Sequence, residues 1–209
     1  MNKTIKNKMG GLHSGKIILI SVDFAEIENY QTKGQWDKSA ELLTEAALKL
    51  QGAGADFIVI CTNTMHKVAP EIQDKIQIPL LHIADATLEG LKGNNIKKAA
   101  LLGTKFTMKE DFYKDKITEQ GINVLIPSEE EMAYVNKTIY EELCLGKIRE
   151  ESKEEFIRIV DRLQEEGAEG VILGCTEIGL LIQQKDTRLP VFDTTKIHAY
   201  KAAVEAMED

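Results

Sequence analysis

Two cysteines stand in matching stretches more than a hundred residues apart. The first stretch reads Leu50-Gln51-x-x-Gly54-Ala55-Asp56, an apolar run Phe57-Ile58-Val59-Ile60, then Cys61-Thr62. The second reads Leu163-Gln164-x-x-Gly167-Ala168-Glu169, an apolar run Val171-Ile172-Leu173, then Gly174-Cys175-Thr176. An apolar run of this length that ends in Cys-Thr reads as a strand delivering a thiol to a strand-to-helix turn. Backbone N–H groups and the helix dipole stabilise a thiolate there, drawing its pKa below the free value of about 8.5. Two equivalent thiols at two equivalent strand ends suggest a sulfur on either face of one substrate, the arrangement that inverts a carbon centre. Cys144, in Ile139-x-x-x-Leu143-Cys144-Leu145, lacks this context and reads as a small buried hydrophobe.

Small hydroxyl and amide side chains follow each cysteine: Thr62-Asn63-Thr64 in the first stretch and Thr176-Glu177 in the second. A third turn, Leu102-Gly103-Thr104-Lys105-Phe106-Thr107, offers two more hydroxyls after an apolar run. Hydroxyls, an amide and free turn N–H groups make a nest for a carboxylate without a full positive charge. Taken singly, each such turn is a helix cap. Three at equivalent strand ends, two of them with cysteine, favour a ligand site.

The elements that must position these turns follow from periodicity. Unbroken apolar runs predict strands at 17–22, 57–61, 80–83, 98–102, 123–126, 171–175 and 191–192, the pattern of strands buried on both faces of a parallel sheet. Amphipathic stretches predict helices at 37–51, 108–120, 129–145, 150–166 and 194–207. Gly54, Gly121, Gly146 and Gly167 fit helix C-caps. This alternation predicts an α/β fold with mainly parallel sheets flanked by helices. The repeat suggests two pseudo-symmetric domains facing each other, the first formed by 1–82 plus 194–209 and the second by 83–193.

Composition excludes other classes. Net charge is −8 over 209 residues, with both signs interspersed, which argues against nucleic acid or an anionic membrane as partner. No apolar run approaches the ~18–20 residues of a membrane span, and no signal peptide opens the chain, so a cytoplasmic protein is expected. Three cysteines with no CxxC or His-rich spacing argue against a metal site or a disulfide framework.

The segments Ile58-Val59-Ile60-Cys61-Thr62-Asn63-Thr64-Met65-His66-Lys67 and Val171-Ile172-Leu173-Gly174-Cys175-Thr176-Glu177-Ile178 resemble the two signatures of the aspartate/glutamate racemase family. The similarity is greatest to its aspartate racemase and broad-specificity branch. It extends to Ser21-Val22-Asp23-Phe24, Leu102-Gly103-Thr104 and Pro190-Val191-Phe192-Asp193. The resemblance implies a cofactor-independent two-base racemase, with the active site in the cleft between its domains. One of Cys61 and Cys175 would take the Cα proton as thiolate while the other delivers a proton to the opposite face. Thr62, Asn63, Thr64, Thr104, Thr107 and Thr176 would bind substrate, several as donors to the carboxylate as charge develops. By the same resemblance Glu177 either polarises the second thiol or favours a helix N-terminus, and His66 either tunes Cys61 or holds a helix start. Arg149 lies near where relatives place a cation for a side-chain carboxylate, and is equally well a surface arginine. Gln31 lies in a loop that approaches substrate in the family, where aspartate-specific members carry an Arg not found here. The expected ligand is an amino acid or dicarboxylate, and the expected assembly a homodimer.

The family's first strand, its glycine-rich turn and most of its first helix have no counterpart before Gly10-Gly11-Leu12-His13. A chain lacking them is expected to be weakly active or inactive and to associate. Two other readings stay open: a maleate isomerase or hydantoin racemase-like enzyme on the same scaffold, and an inactive binding protein.

Overall fold

The computed structural model describes residues 1–208, in two compact units. One holds Met1–Cys61, Met65–His82 and the residues from Ala199 onward; the other holds Thr62–Thr64 and Ile83–His198.

The first unit contains α1 (Asn2–Met9), α2 (Phe24–Thr32), α3 (Trp36–Gly52), β1 (Ile58–Val59), α4 (Ala69–Gln73) and β2 (Leu80–Leu81). Asp23 starts α2, its carboxylate accepting the Ala25 N–H at 3.0 Å, one of the orphan donors of a helix start. Ala40 and Ala47 of α3 pack with Ile58, Val68, Ile72 and Ile76 into a small core. The Lys67 ammonium lies 3.9 Å from the Trp36 ring centroid, a cation–π contact. β1 and β2 pair in parallel, Ile58 opposite Leu80 and Val59 opposite Leu81. These two strands are the whole sheet of this unit among the described residues.

The strand expected at 17–22 is absent. Ile17, Ile18, Leu19 and Ile20 are all exposed, Leu19 at 77%, and no sheet partner holds them. An apolar run becomes a strand only when a neighbour supplies the backbone ladder, so the apolar pattern alone misleads here. The run at 57–61 shortens to two residues for the same reason, since β1 has one neighbour. Ile83 opens a helix instead of closing β2.

The second unit contains α5 (Ile83–Gly93), β3 (Lys98–Gly103), α6 (Lys105–Lys109), α7 (Asp111–Thr118), β4 (Asn123–Leu125), α8 (Glu129–Glu141), α9 (Glu150–Glu165), β5 (Gly170–Gly174), α10 (Ile178–Leu181), β6 (Val191–Asp193) and the start of α11 (Thr194–Glu205). Its four strands are parallel in the order β4-β3-β5-β6. Ala99 to Leu102 of β3 and Val171 to Leu173 of β5 are buried, as central strands covered on both faces must be. The helix expected at 108–120 is instead α6 and α7, divided at Glu110, whose backbone is extended (φ −83°, ψ 156°). That expected at 129–145 ends at Glu141 and continues as a short 3-10 turn, Leu143–Leu145, closed by Gly146 at φ +70°. A left-handed turn of this kind favours glycine.

Phe156, Ile159, Val160 and Leu163 recur at helical spacing on α9 and bury one face of it completely. Ser128 and Glu131 form a capping box at the start of α8. Glu131 is buried and accepts from Arg162 Nε at 2.8 Å and from the Ser128 N–H at 2.9 Å. Burial acts to raise its pKa, but the Arg162 guanidinium and the Ser128 amide outweigh it and hold the carboxyl below the ordinary range. A depressed folded-state pKa contributes stability that is present above the unfolded pKa of about 4.3 and is lost as pH falls through the folded value. Glu131→Gln should therefore unfold at lower temperature than the parent at pH 7, and the gap should narrow below about pH 4. Thermal melts from pH 7 to pH 3 check this, and a gap independent of pH would contradict it.

No helix among the described residues is long and apolar enough to cross a membrane.

Candidate active site

The chain leaves β3 toward β4 on one side and leaves β5 toward β6 on the other, so the order β4-β3-β5-β6 reverses direction between β3 and β5. In open parallel sheets the crevice for a ligand opens at such a point, beyond the carboxyl ends of the two strands. Thr104 follows β3 directly and Cys175 follows β5 directly. Gly103 and Gly174 let the two strand ends approach: a Cβ on Gly103 would lie 2.8 Å from the Gly174 carbonyl oxygen. At both positions any larger side chain would push apart the turns that follow.

Three hydroxyls meet here. Thr64 Oγ1 lies 3.0 Å from Thr104 Oγ1 and 3.5 Å from Thr107 Oγ1, and the last two are 3.2 Å apart. All three residues are buried. Thr104 also caps α6, its Oγ1 accepting the Thr107 N–H at 3.3 Å, so capping and clustering are combined in one residue. Asn63 Nδ2 donates to Thr194 Oγ1 at 3.0 Å, and Thr194 Oγ1 donates to the Leu173 carbonyl at 2.8 Å. This chain of bonds ties residues 62–64 to the end of β5. One Asn63 amide N–H is engaged by Thr194, and Oδ1 is buried with no hydrogen-bond partner. Thr194, which sequence reasoning missed, carried the same signal as the other turns, a hydroxyl directly after an apolar strand.

Cys175 is nine-tenths buried. Its thiol donates to Glu177 Oε2 at 3.0 Å, and Thr176 Oγ1 donates to the same oxygen at 2.6 Å. Burial, and then the negative Glu177 carboxylate, push the Cys175 thiol well above its ordinary value. This reverses the expectation of a thiolate stabilised by the turn: at rest Cys175 is a thiol with a proton acceptor already in place. Glu177 opens α10, but its side chain makes no cap bond. Cys144 feels the same carboxylate. The Cys144 side chain is exposed, against the expectation of a small buried hydrophobe, yet partial desolvation and then Glu177 raise its thiol to about 11. Replacing Glu177 by Gln should lower the Cys175 pKa by removing one of its causes. Alkylation of Cys175 by iodoacetamide, followed by peptide mass mapping against pH, should then rise at lower pH than in the parent. An unmoved profile would contradict the pairing.

Gln31, Cys61 and His66 belong to the first unit. Gln31 is buried and its Nε2 lies 3.7 Å from Met65 Sδ. His66 is buried with its ring edge-on to His82, centroids 4.5 Å apart. Cys61 is exposed, its Sγ 3.9 Å from the carbonyl of Val59. Arg149 precedes α9, exposed and 3.7 Å from Glu142.

The matching stretches are related by a register that backbone hydrogen bonds fix. Ala55 N–H donates to Leu50 O at 3.1 Å, and Ala168 N–H to Leu163 O at 3.0 Å. Ile58 N–H donates to Pro79 O at 2.8 Å, and Val171 N–H to Pro190 O at 2.9 Å. Ile58 and Val171 are therefore equivalent. Counting on in both, Cys61 falls opposite Gly174 and Thr62 opposite Cys175. The two cysteines are offset by one residue, against the sequence expectation of matching positions. Among the described residues, no group of three or more His, Cys, Asp or Glu side chains is placed to hold a metal ion.

Residues 1–202 match the family model described as Asp/Glu/Hydantoin racemase. An aspartate racemase homologue from Pyrococcus horikoshii OT3, known by crystal structure, is 36% identical, with a TM-score of 0.83, over 99% of this chain and 91% of that one. A Yersinia pestis crystal structure assigned as an Asp/Glu racemase is 51% identical with a TM-score of 0.92, over 99% of this chain and 90% of that one. The broad-specificity amino-acid racemase of Bacillus subtilis (strain 168) is 26% identical over 163 residues, 76% of this chain and 68% of that protein.

Proposed function

The chain belongs to the Asp/Glu/hydantoin racemase family, and from that premise we propose that it racemises an acidic amino acid, aspartate or glutamate, by cofactor-independent proton transfer at Cα. The observation that carries this reading is Cys175, a thiol bonded to a carboxylate at the point where the sheet reverses direction. A base that must remove a carbon-bound proton needs a way to lose its own first, and Glu177 accepts it at 3.0 Å. The Thr64, Thr104 and Thr107 hydroxyls supply donors for the substrate carboxylate, whose charge grows as the Cα–H bond breaks. Asn63 Oδ1 suits the opposite end of the substrate, accepting from its ammonium group. The second proton carrier belongs to the Cys61-Thr62 turn of the first stretch. The family resemblance also supports a homodimer in the cytoplasm.

Single-enantiomer aspartate, glutamate and other amino acids in D₂O test the proposal. Loss of the Cα–H signal together with loss of optical rotation is the expected result. No exchange with any amino acid would overturn it, and turnover of maleate instead would transfer the site to the isomerase reading.

A further inference from the structure

We infer that Thr62, not Cys61, is the group that works opposite Cys175, so that the proposed racemisation pairs one thiol with one hydroxyl. The inference rests on the racemase reading and deepens it. Three observations carry it.

The first is register: the backbone bonds that make Ile58 the equivalent of Val171 put Thr62, four residues on, at the position of Cys175. Successive residues of an extended segment point to opposite sides, so a one-residue offset is a change of face and not a small displacement.

The second is what the Cys61 position means in the repeat where the sheet is complete. Its equivalent there is Gly174, where a Cβ would lie 2.8 Å from Leu101 Cδ1, 3.0 Å from the Leu102 carbonyl oxygen and 3.2 Å from Thr107 Cγ2. That position faces the adjacent strand β3 and has no room for a side chain. β1 has no such neighbour among the described residues, and Cys61 is exposed there with its thiol 3.9 Å from its own strand's carbonyl at Val59.

The third is the fold's own partition. Thr62–Thr64 belong to the compact unit that holds Cys175, whereas Cys61 belongs to the other. Asn63, the next residue after Thr62, is tied through Thr194 to Leu173, two residues before Cys175.

The chemistry balances without any further reagent. Cys175, having passed its proton to Glu177, takes the Cα proton and forms an S–H bond while the C–H electrons remain as carbanion or enediolate. Thr62 gives its hydroxyl proton to the opposite face of Cα, its oxygen recovers a proton from water, and Glu177 returns to water the proton it took; the opposite enantiomer runs the same steps in reverse. An alcohol hydroxyl donates and accepts hydrogen bonds but does not ionise where thiols do. One thiol alone therefore titrates, and the rate should rise with pH without falling again. Two working thiols would give a bell.

Parent, Thr62→Val, Thr62→Cys and Cys61→Ser proteins, each matched to the parent by circular dichroism and melting temperature, separate the possibilities. Thr62→Val is expected to lose inversion by about 10²-fold or more while still exchanging Cα–H for deuterium in the enantiomer whose hydrogen faces Cys175. Thr62→Cys is expected to restore inversion with a bell-shaped pH profile, and Cys61→Ser to invert within a few-fold of the parent. Loss of inversion in Cys61→Ser with retention in Thr62→Val would overturn the inference and leave the racemase reading standing. A parent protein that exchanges no amino acid would overturn both.

Discussion

Cys175→Ser is expected to lower Cα–H exchange by about 10³-fold with aspartate or glutamate of either hand, while leaving the melting temperature within a few degrees of the parent. General acid–base groups typically contribute 10²–10⁴-fold, and Cys175 is asked to remove a proton from carbon. Serine preserves the hydrogen bond to Glu177, since its hydroxyl can donate as the thiol does at 3.0 Å. Serine cannot become a comparable base, because its hydroxyl stays protonated where a thiol ionises. The fold should tolerate the change: the side chain is similar in size and keeps its partner, so no cavity or orphaned group arises. Exchange rates by proton NMR, with circular dichroism as the control on folding, give the answer. A serine variant retaining more than a tenth of parental exchange would mean that the proton is removed elsewhere.

Phe156→Ala should strongly destabilise the fold. The ring is fully buried on α9, 6.5 Å from the Tyr134 ring centroid in an edge-on arrangement, among Ile159, Val160 and Leu163. Removing it loses the transfer free energy of the ring and leaves a hole that a close-packed interior fills poorly, a cost of about 3–5 kcal/mol. Against a typical total of about 5–15 kcal/mol, that moves the melting temperature down on the order of 10 °C for a chain of this size. Leu145→Ala is the comparison, because Leu145 is exposed and its loss should change stability by no more than about 0.5 kcal/mol. Urea unfolding of the two variants side by side reads the difference; similar midpoints would mean that α9 is not the anchor of this core.

The central strands of the larger sheet were legible almost to the residue. Ala99–Leu102 and Val171–Leu173 are apolar because both faces are covered. The run at 17–22 has the same composition and forms nothing, because strandhood depends on a neighbour that no local pattern encodes. The hydroxyl turns were legible by type and place, since Thr104, Thr107 and Thr64 do cluster. The partners of Asn63 and Glu177 were not. What the Asn63 amide bonds to depends on Thr194, distant in sequence, and the state of Cys175 depends on burial, which only packing decides. The offset of the two cysteines was available from the sequence by counting from Gly54 and Gly167. It was hidden because matching cysteine to cysteine is the more obvious alignment.

The Cys175–Glu177 bond has a consequence for durability. Peroxides and electrophiles attack the thiolate form of a cysteine, and susceptibility follows thiolate character and exposure. A thiol that is nine-tenths buried and kept protonated by the carboxylate beside it is a poor target for both. Its reactive form would exist chiefly while substrate occupies the site and shields the sulfur. Cys61 and Cys144 are exposed, so oxidative damage to this protein should fall on them before it falls on Cys175.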